Sequence, residues 1–465
     1  MYRHLFKLID MSVHPLTGDL MHVAPAPAVA PHWPLPPDLM TLCASVPHVS
    51  AFPTVAEINN RLAALAERHP SVATLRRIGT SRGGEPVIRL DIDGGPRTAL
   101  VVGGPHPNEP IGSITALHLA ESLCADPALR RRLGHSWHII GCIDPDGAKL
   151  NYSWFDRPHD RLAYFRGFYR PAFFDQIEWT FPLDHRGTTF EATLPEVHAW
   201  MESIDELRPD LMPSLHNSDT GGVFYYLSRD TSDLPQRLSA LPPLFGLTLD
   251  VGEPESPGAP LYAPAVFGQW DTPEEIDYLI EHGKAPDSWS AGDSSFSYAR
   301  KYATTGLIAE VPMWSDATFS DTSPSTIPLD ELREQEHATT QHTLQILGDI
   351  YAEAADHIDP GSAFARACRD RLTSKQSVLP PTTGRLATRA EVASQAQSRH
   401  LLRLRYGSML VRLLASYPAL LPLHAQVTRT YQQWERESVA DTPPTVPVHV
   451  AAGIQLAAIT TAATC

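Results

Sequence analysis

From Val55 onward the apolar residues Val55, Ile58, Leu62 and Leu65 recur at intervals of three and four, the spacing of one face of an α-helix. Thr54 precedes them as a capping hydroxyl and Pro70 ends the run, so the pattern predicts a helix between the two. The period then changes. Val87 to Ile92 alternates apolar with polar, Thr98 to Val102 is a short apolar run closed by Gly103 and Gly104, and Ile111 to Cys124 returns to helical spacing. Further along, strands are predicted at Trp137 to Ile143, Leu211 to Leu215 and Leu307 to Val311, with a helix at Leu194 to Leu207. Alternating elements of this kind predict an α/β fold, a sheet with helices on its faces.

Two stretches break the alternation. Pro25 to Pro53 is crowded with proline and alanine, and because proline denies helix and sheet a backbone donor, residues 1–53 are expected to form an extended arm. After about Leu329 the strand signals fade. Asp330 to Ala355, Ser362 to Leu372 and Ala387 to Ser416 read as helices rich in Ala, Leu, Arg and Gln, which predicts an α-helical C-terminal extension over 330–465 and leaves 54–329 as the α/β domain. The Ala/Thr-rich tail ending in Cys465 carries no further signal.

Charge and cysteine content narrow the partners. Lys and Arg total 37 against 53 Asp and Glu, a formal net charge of −16 with no Lys/Arg-rich run, which argues against nucleic acid or an anionic membrane. The five cysteines are an odd number, widely spread and without a metal-clip or redox spacing, which fits a reducing compartment. The first residues lack an apolar stretch of secretory length, and no run approaches the roughly 18 apolar residues of a membrane span. The expectation is a soluble, cytoplasmic protein.

Open α/β sheets gather ligands at the carboxyl ends of their strands, and four predicted strands end in polar residues. One runs into Gly103, Gly104, Pro105, His106, Pro107, Asn108 and Glu109; a second ends in Asp144, Pro145, Asp146 and Gly147; a third delivers His216, Asn217 and Ser218; a fourth sets Glu310 among Leu307, Ile308, Ala309 and Val311. An unpaired carboxylate in such an apolar run is costly, so Glu310 calls for a reason. Two His and one Glu, with a fourth position left to water, are a known donor set for catalytic zinc. His118 and Glu121 repeat the His-x-x-Glu spacing inside an amphipathic helix, where they read as ordinary helix-face residues.

Taken together, these segments resemble the zinc carboxypeptidases of the carboxypeptidase A type over about Thr54 to Pro324. Ile78, Gly79, Thr80 and Ser81 with Gly84 and Pro86 resemble the family's early strand signature, His106 to Glu109 its metal motif, and Asp144 to Gly147 its Asn-Pro-Asp-Gly turn. Leu194, Pro195 and Glu196 resemble the helix start before the third ligand, Ser214, Leu215 and His216 its ligand strand, and Glu310 stands where the catalytic Glu follows. The resemblance implies a mixed central sheet with helices on both faces, one Zn2+ per chain held by His106, Glu109 and His216, and Glu310 as general base in hydrolysis of a peptide or amide.

In one respect the chain departs from that pattern. The Asn-Arg pair that grips a substrate's free carboxylate has no clear counterpart between Gly147 and His216, although Arg157, Arg161, Arg166, Arg170 and Arg186 crowd the region. A guanidinium fork suits a carboxylate or an oxyanion, and Arg166 and Arg170 are the candidates. Asp184 is a candidate to orient a ligand His. Three readings stay open: a carboxypeptidase, an amidase or deacylase acting on a small or non-peptide substrate, and a zinc-binding interaction protein that has lost catalysis.

Overall fold

The computed structural model describes residues 35–252, 259–281, 289–373 and 382–465. Its frame is a nine-stranded mixed sheet. In chain order the strands are β1 (Ala73–Thr80), β2 (Pro86–Ile92), β3 (Arg97–Gly103), β4 (His135–Ile140), β5 (Leu211–His216), β6 (Phe224–Leu227), β7 (Leu261–Ala263), β8 (Val266–Gly268) and β9 (Thr305–Glu310). They lie side by side as β1-β2-β4-β3-β5-β9-β6-β8-β7. The middle four, β4, β3, β5 and β9, are mutually parallel, and both flanks contain antiparallel pairs.

The continuous apolar runs follow from burial on both faces. In β3, Ala99 and Val101 enter one core while Leu100 and Val102 enter the other. The second face is covered by Val197, Trp200 and Ile204 of a helix at Pro195–Leu207. On the first face lie α2 (Val55–Arg68) and α3 (Ile111–Ala125). Thr54 caps α2 as its spacing predicts: the hydroxyl accepts from Glu57 N–H while the Glu57 carboxylate accepts from Thr54 N–H.

The arm expected through residue 53 gives way at Pro37. There α1 (Pro37–Ala44) begins, with proline in its first turn, where the missing N–H costs nothing, and with Leu39 and Cys43 buried. The rest of that expectation, residues 1–34, lies outside the described residues.

All three C-terminal helices read from the sequence are present, as α4 (Leu329–Ala354), α5 (Ala363–Thr373) and α6 (Arg389–Ala415). Two more follow that the sequence reading missed, α7 (Leu421–Ser438) and α8 (Val448–Ala463). The Ala/Thr-rich tail is α8, buried nearly throughout and packed against α1, α3, β5 and β9. Its small residues allow close approach: a Cβ on Gly453 would sit 2.7 Å from the Cys43 carbonyl oxygen. No helix among the described residues is long and apolar enough to cross a membrane.

Candidate metal centre

Three adjacent parallel strands bring the candidate donors together. β3 ends at Gly103, and the chain then turns sharply through Gly104 at φ +63°, a left-handed conformation that favours glycine. Gly103 itself has no room for a side chain, since a Cβ there would lie 2.6 Å from the Gly141 carbonyl oxygen. The turn carries His106 to Glu109 over the end of β5, whose last residue is His216. In the β5–β9 ladder Glu310 pairs directly with His216.

The donor atoms converge. His106 Nδ1 lies 3.1 Å from His216 Nδ1, Glu109 Oε2 lies 3.2 Å from His106 Nδ1, and the same oxygen lies 3.3 Å from His216 Nδ1. Ligand atoms about 2.0 Å from a tetrahedral cation are separated by about 3.3 Å, so the triangle has the size a zinc ion requires. Among the described residues this is the group of His, Cys, Asp and Glu side chains able to hold a metal. Glu310 Oε1 stands 3.9 Å from His216 Nδ1. All four residues are buried.

Burial and charge act on the donors in opposite senses. Removal from water, with Arg170 nearby, holds the His106 imidazole down to about 3, so it is neutral and its lone pair is free for a cation. Burial opposes charge on Glu109 too, but His106, His216 and Arg170 outweigh it and keep the carboxyl well below its usual range. At His216 burial is again outweighed, here by Glu109, Glu310 and Glu178, and its value rises.

The far side of His216 is fixed by Ser214 of the ligand-strand motif and by two side chains that no motif announced, Glu178 and Ser295. Ser214 Oγ lies 3.0 Å from His216 Nε2 and donates to Glu178 Oε2 at 3.3 Å. Glu178 Oε1 accepts from the Ser295 hydroxyl at 2.5 Å and from Ser295 N–H at 3.3 Å. Because the Ser214 proton goes to Glu178, its oxygen is left to accept Nε2–H, which turns the Nδ1 lone pair toward the donor triangle. Glu178 lies between Ile177 and Trp179, and a carboxylate inside that apolar run was the available sign.

The remaining candidates separate. Arg170 is buried at the site: its Nη1 donates to Glu109 Oε1 at 2.8 Å and to Asn108 Oδ1 at 3.5 Å, and its Nε to Gln176 Oε1 at 3.1 Å. Arg166 is turned away. Its guanidinium forks onto Glu435 of α7 at 2.7 and 2.9 Å and its side chain is 59% exposed. The two arginines are one helical turn apart at the end of the helix Arg161–Gly167, where the chain leaves helical geometry and sends them in different directions. Asp184 sits exposed on a two-stranded hairpin, and Glu178 has the place proposed for it. His118 and Glu121 stay on the helix surface, bonded to Ser45 and Arg61.

A mixed sheet whose parallel centre presents a His, Glu, His donor set defines the class, an α/β protein with a metal-type site at its strand ends. The resemblance read from the motifs holds: the chain is similar to the zinc carboxypeptidases, whose family model matches residues 58–166. Carboxypeptidase E of Caenorhabditis elegans is 31% identical over 108 residues, 20% of this chain and 23% of that protein, so the match spans about a quarter of that relative's length. Carboxypeptidase A from Helicoverpa armigera is 16% identical, with 57% of this chain and 66% of that chain covered at a TM-score of 0.39. Murein-tripeptide amidase from Escherichia coli is 17% identical, covering 51% and 82% at a TM-score of 0.27.

Proposed function

We propose that the protein is a zinc-dependent hydrolase of peptide or amide bonds in which His106, Glu109 and His216 hold the ion and Glu310 is the general base. The observation that carries this reading is the donor triangle, 3.1 to 3.3 Å on each side, with a second carboxylate, Glu310, 3.9 Å from one corner. Zinc in such a site polarises a carbonyl and makes a water acidic near neutral pH. The Glu310 carboxylate accepts a proton from the attacking water as its oxygen bonds to the carbonyl carbon. Glu310 then returns that proton to the nitrogen as the C–N bond breaks. Arg170 fixes Glu109 through one carboxylate oxygen and leaves the other facing the imidazoles.

A specific observation favours an amidase or deacylase over a carboxypeptidase. Five of the six arginines between Gly147 and His216 already have a polar partner: Arg157 bonds Ser153 O, Arg161 bonds Gln397 and Thr442, Arg166 bonds Glu435, Arg170 bonds Glu109 and Arg186 pairs with Asp277, while the sixth, Arg208, lies over the Tyr302 ring. Metal content and hydrolysis of paired peptides with free and amidated C-termini, before and after chelation, test both readings. Zinc at one per chain with chelator-sensitive release of C-terminal residues supports the carboxypeptidase. Cleavage of blocked substrates alone supports the amidase, and a chain that binds no metal overturns both.

A further inference from the structure

The C-terminal helices reach the donor triangle from two sides. From α8, the buried Gln455 donates through Nε2 to the main-chain oxygen of His216 at 2.5 Å, while its Oε1 accepts from Thr115 Oγ1 of α3 at 2.6 Å. The His216 carbonyl can only accept, so the amide has one workable orientation, and the Thr115 hydroxyl fixes it.

From α6 the path runs through side chains. Arg405 Nε donates to Asp219 Oδ2 at 3.1 Å and its Nη2 lies 2.6 Å from the same oxygen, just beyond His216 in the chain. Tyr164 donates its hydroxyl to Asp219 Oδ1 at 2.7 Å and accepts from Asn108 Nδ2 at 3.3 Å. Asn108 Oδ1 then meets the Arg170 nitrogen that also holds Glu109. Arg405, Asp219, Tyr164, Asn108 and Arg170 are all buried. Another α6 residue, Arg412, grips the segment that carries Arg170 by donating to the carbonyls of Leu150, Gly167 and Phe168 at 2.8, 2.7 and 2.9 Å.

Packing alone does not call for this arrangement. A buried network of charges and amides costs desolvation at each member, and apolar residues of the same volume would fill α6 and α8 at lower cost. What the polar residues add is direction: Gln455 ends on the main-chain oxygen of His216, and the path from Arg405 runs through Asp219, Tyr164 and Asn108 to the Arg170 nitrogen that holds Glu109. We infer that Gln455 and Arg405 are positioning residues of the metal centre: the C-terminal helices set where His216 and Glu109 stand. This rests on the metal-site reading above.

The test uses the full chain loaded with Co2+, whose visible absorption reports ligand geometry, together with zinc dissociation constants measured by competition with a chelator. Gln455→Met and Arg405→Met are compared with Ile454→Val, which trims the core side of α8 without touching this network. Melting temperatures place all three on one stability scale. The expected result is a shifted Co2+ band and zinc binding weakened about 10- to 100-fold in the two polar variants, with neither change in Ile454→Val. If Gln455→Met does not fold, Thr115→Val removes only the hydroxyl that orients the amide and gives a smaller shift in the same direction. Spectra and dissociation constants equal to those of Ile454→Val at matched stability overturn the inference alone. A wild-type chain that takes up no stoichiometric Co2+ or Zn2+ overturns the metal-site reading and the inference with it.

Discussion

The carboxyl ends of β3, β5 and β9 and the helices α6 and α8 meet the same side chains on different terms. The strand ends deliver the candidate donors His106, Glu109 and His216 with Glu310 beside them; His216 and Glu310 pair within the β5–β9 ladder, whereas His106 and Glu109 lie on the loop beyond Gly103, where the β3 ladder ends. The helices deliver no donor. They end on a main-chain oxygen, on an aspartate beyond the ligand, and on the carbonyls of the segment that bears Arg170. The difference separates chemistry from placement: a parallel sheet gathers ligands at one edge, but the loops that leave that edge must be held by something else. Here the residues that hold them lie far along the chain, outside residues 58–166, which match the family.

The largest effects belong to the strand ends. Glu310→Gln is expected to keep its zinc and lose roughly 10²- to 10⁴-fold in turnover, the usual contribution of a positioned base. His216→Ala is expected to lose the metal and, with it, more activity still. Atomic absorption and steady-state hydrolysis on the same samples separate the two, and full turnover in Glu310→Gln would remove the base from the mechanism.

Arg170 is where strand ends and helices join, so its loss is felt in stability. Arg170→Ala leaves the buried Glu109 carboxylate without its cation, at a cost of roughly 3–5 kcal/mol. A zinc ion would restore positive charge beside Glu109. Denaturant unfolding is therefore expected to show a larger loss in the chelated protein than in the zinc-loaded one. Equal losses in both forms would separate Arg170 from the metal centre.

How much of this was legible in the sequence follows the same division. Strand ends announce themselves, because an apolar run that stops at Gly-Gly-Pro-His or at Ser-Leu-His places its polar residues by the alternation alone. Glu310 was legible because a carboxylate in an apolar run needs a partner. Arg166 and Arg170 were not separable, since which of two arginines one helical turn apart faces inward depends on where the helix Arg161–Gly167 ends. The tail that became α8 gave no periodic signal because a helix buried on every side has no polar face to set the period. Gln455 was hidden in it for the same reason. The arm misled because proline in the first turn of a helix and proline in an extended segment are the same letter.

A mid-sized effect is expected at the turn between the two regions. Asp144 is fully buried, and its Oδ1 accepts from Gly147 N–H at 2.9 Å. Burial raises its carboxyl from 3.8 to about 7, with Arg82 and the Gly147 hydrogen bond offsetting only part. The folded state thus binds this proton more tightly than the unfolded chain. Its stabilisation is complete below the unfolded value of 3.8 and is lost as pH rises through about 7. Asp144→Asn keeps the acceptor and removes the titration, so between pH 4 and pH 8 the variant should gain on the wild type by roughly 3–4 kcal/mol. Parallel stability curves for the two proteins across that interval would exclude a buried carboxyl at this turn.

The smallest effect sharpens the contrast most. Arg166 and Arg170 share a segment, a charge and a sequence context, yet Arg166 pairs with Glu435 at a surface where its side chain is 59% exposed. The Glu435 partner is only 8% exposed, so the pair is half buried: water screens the guanidinium, but its removal leaves a buried carboxylate without its cation. Arg166→Ala is therefore expected to cost roughly 1–2 kcal/mol, less than Arg170→Ala, and to leave zinc affinity and turnover as they were. If it lowered turnover as Arg170→Ala does, the segment would act as one unit and the direction of each guanidinium would not matter. If the two variants differ as expected, the helix end at Gly167 is what divides a residue of the site from a residue of the surface.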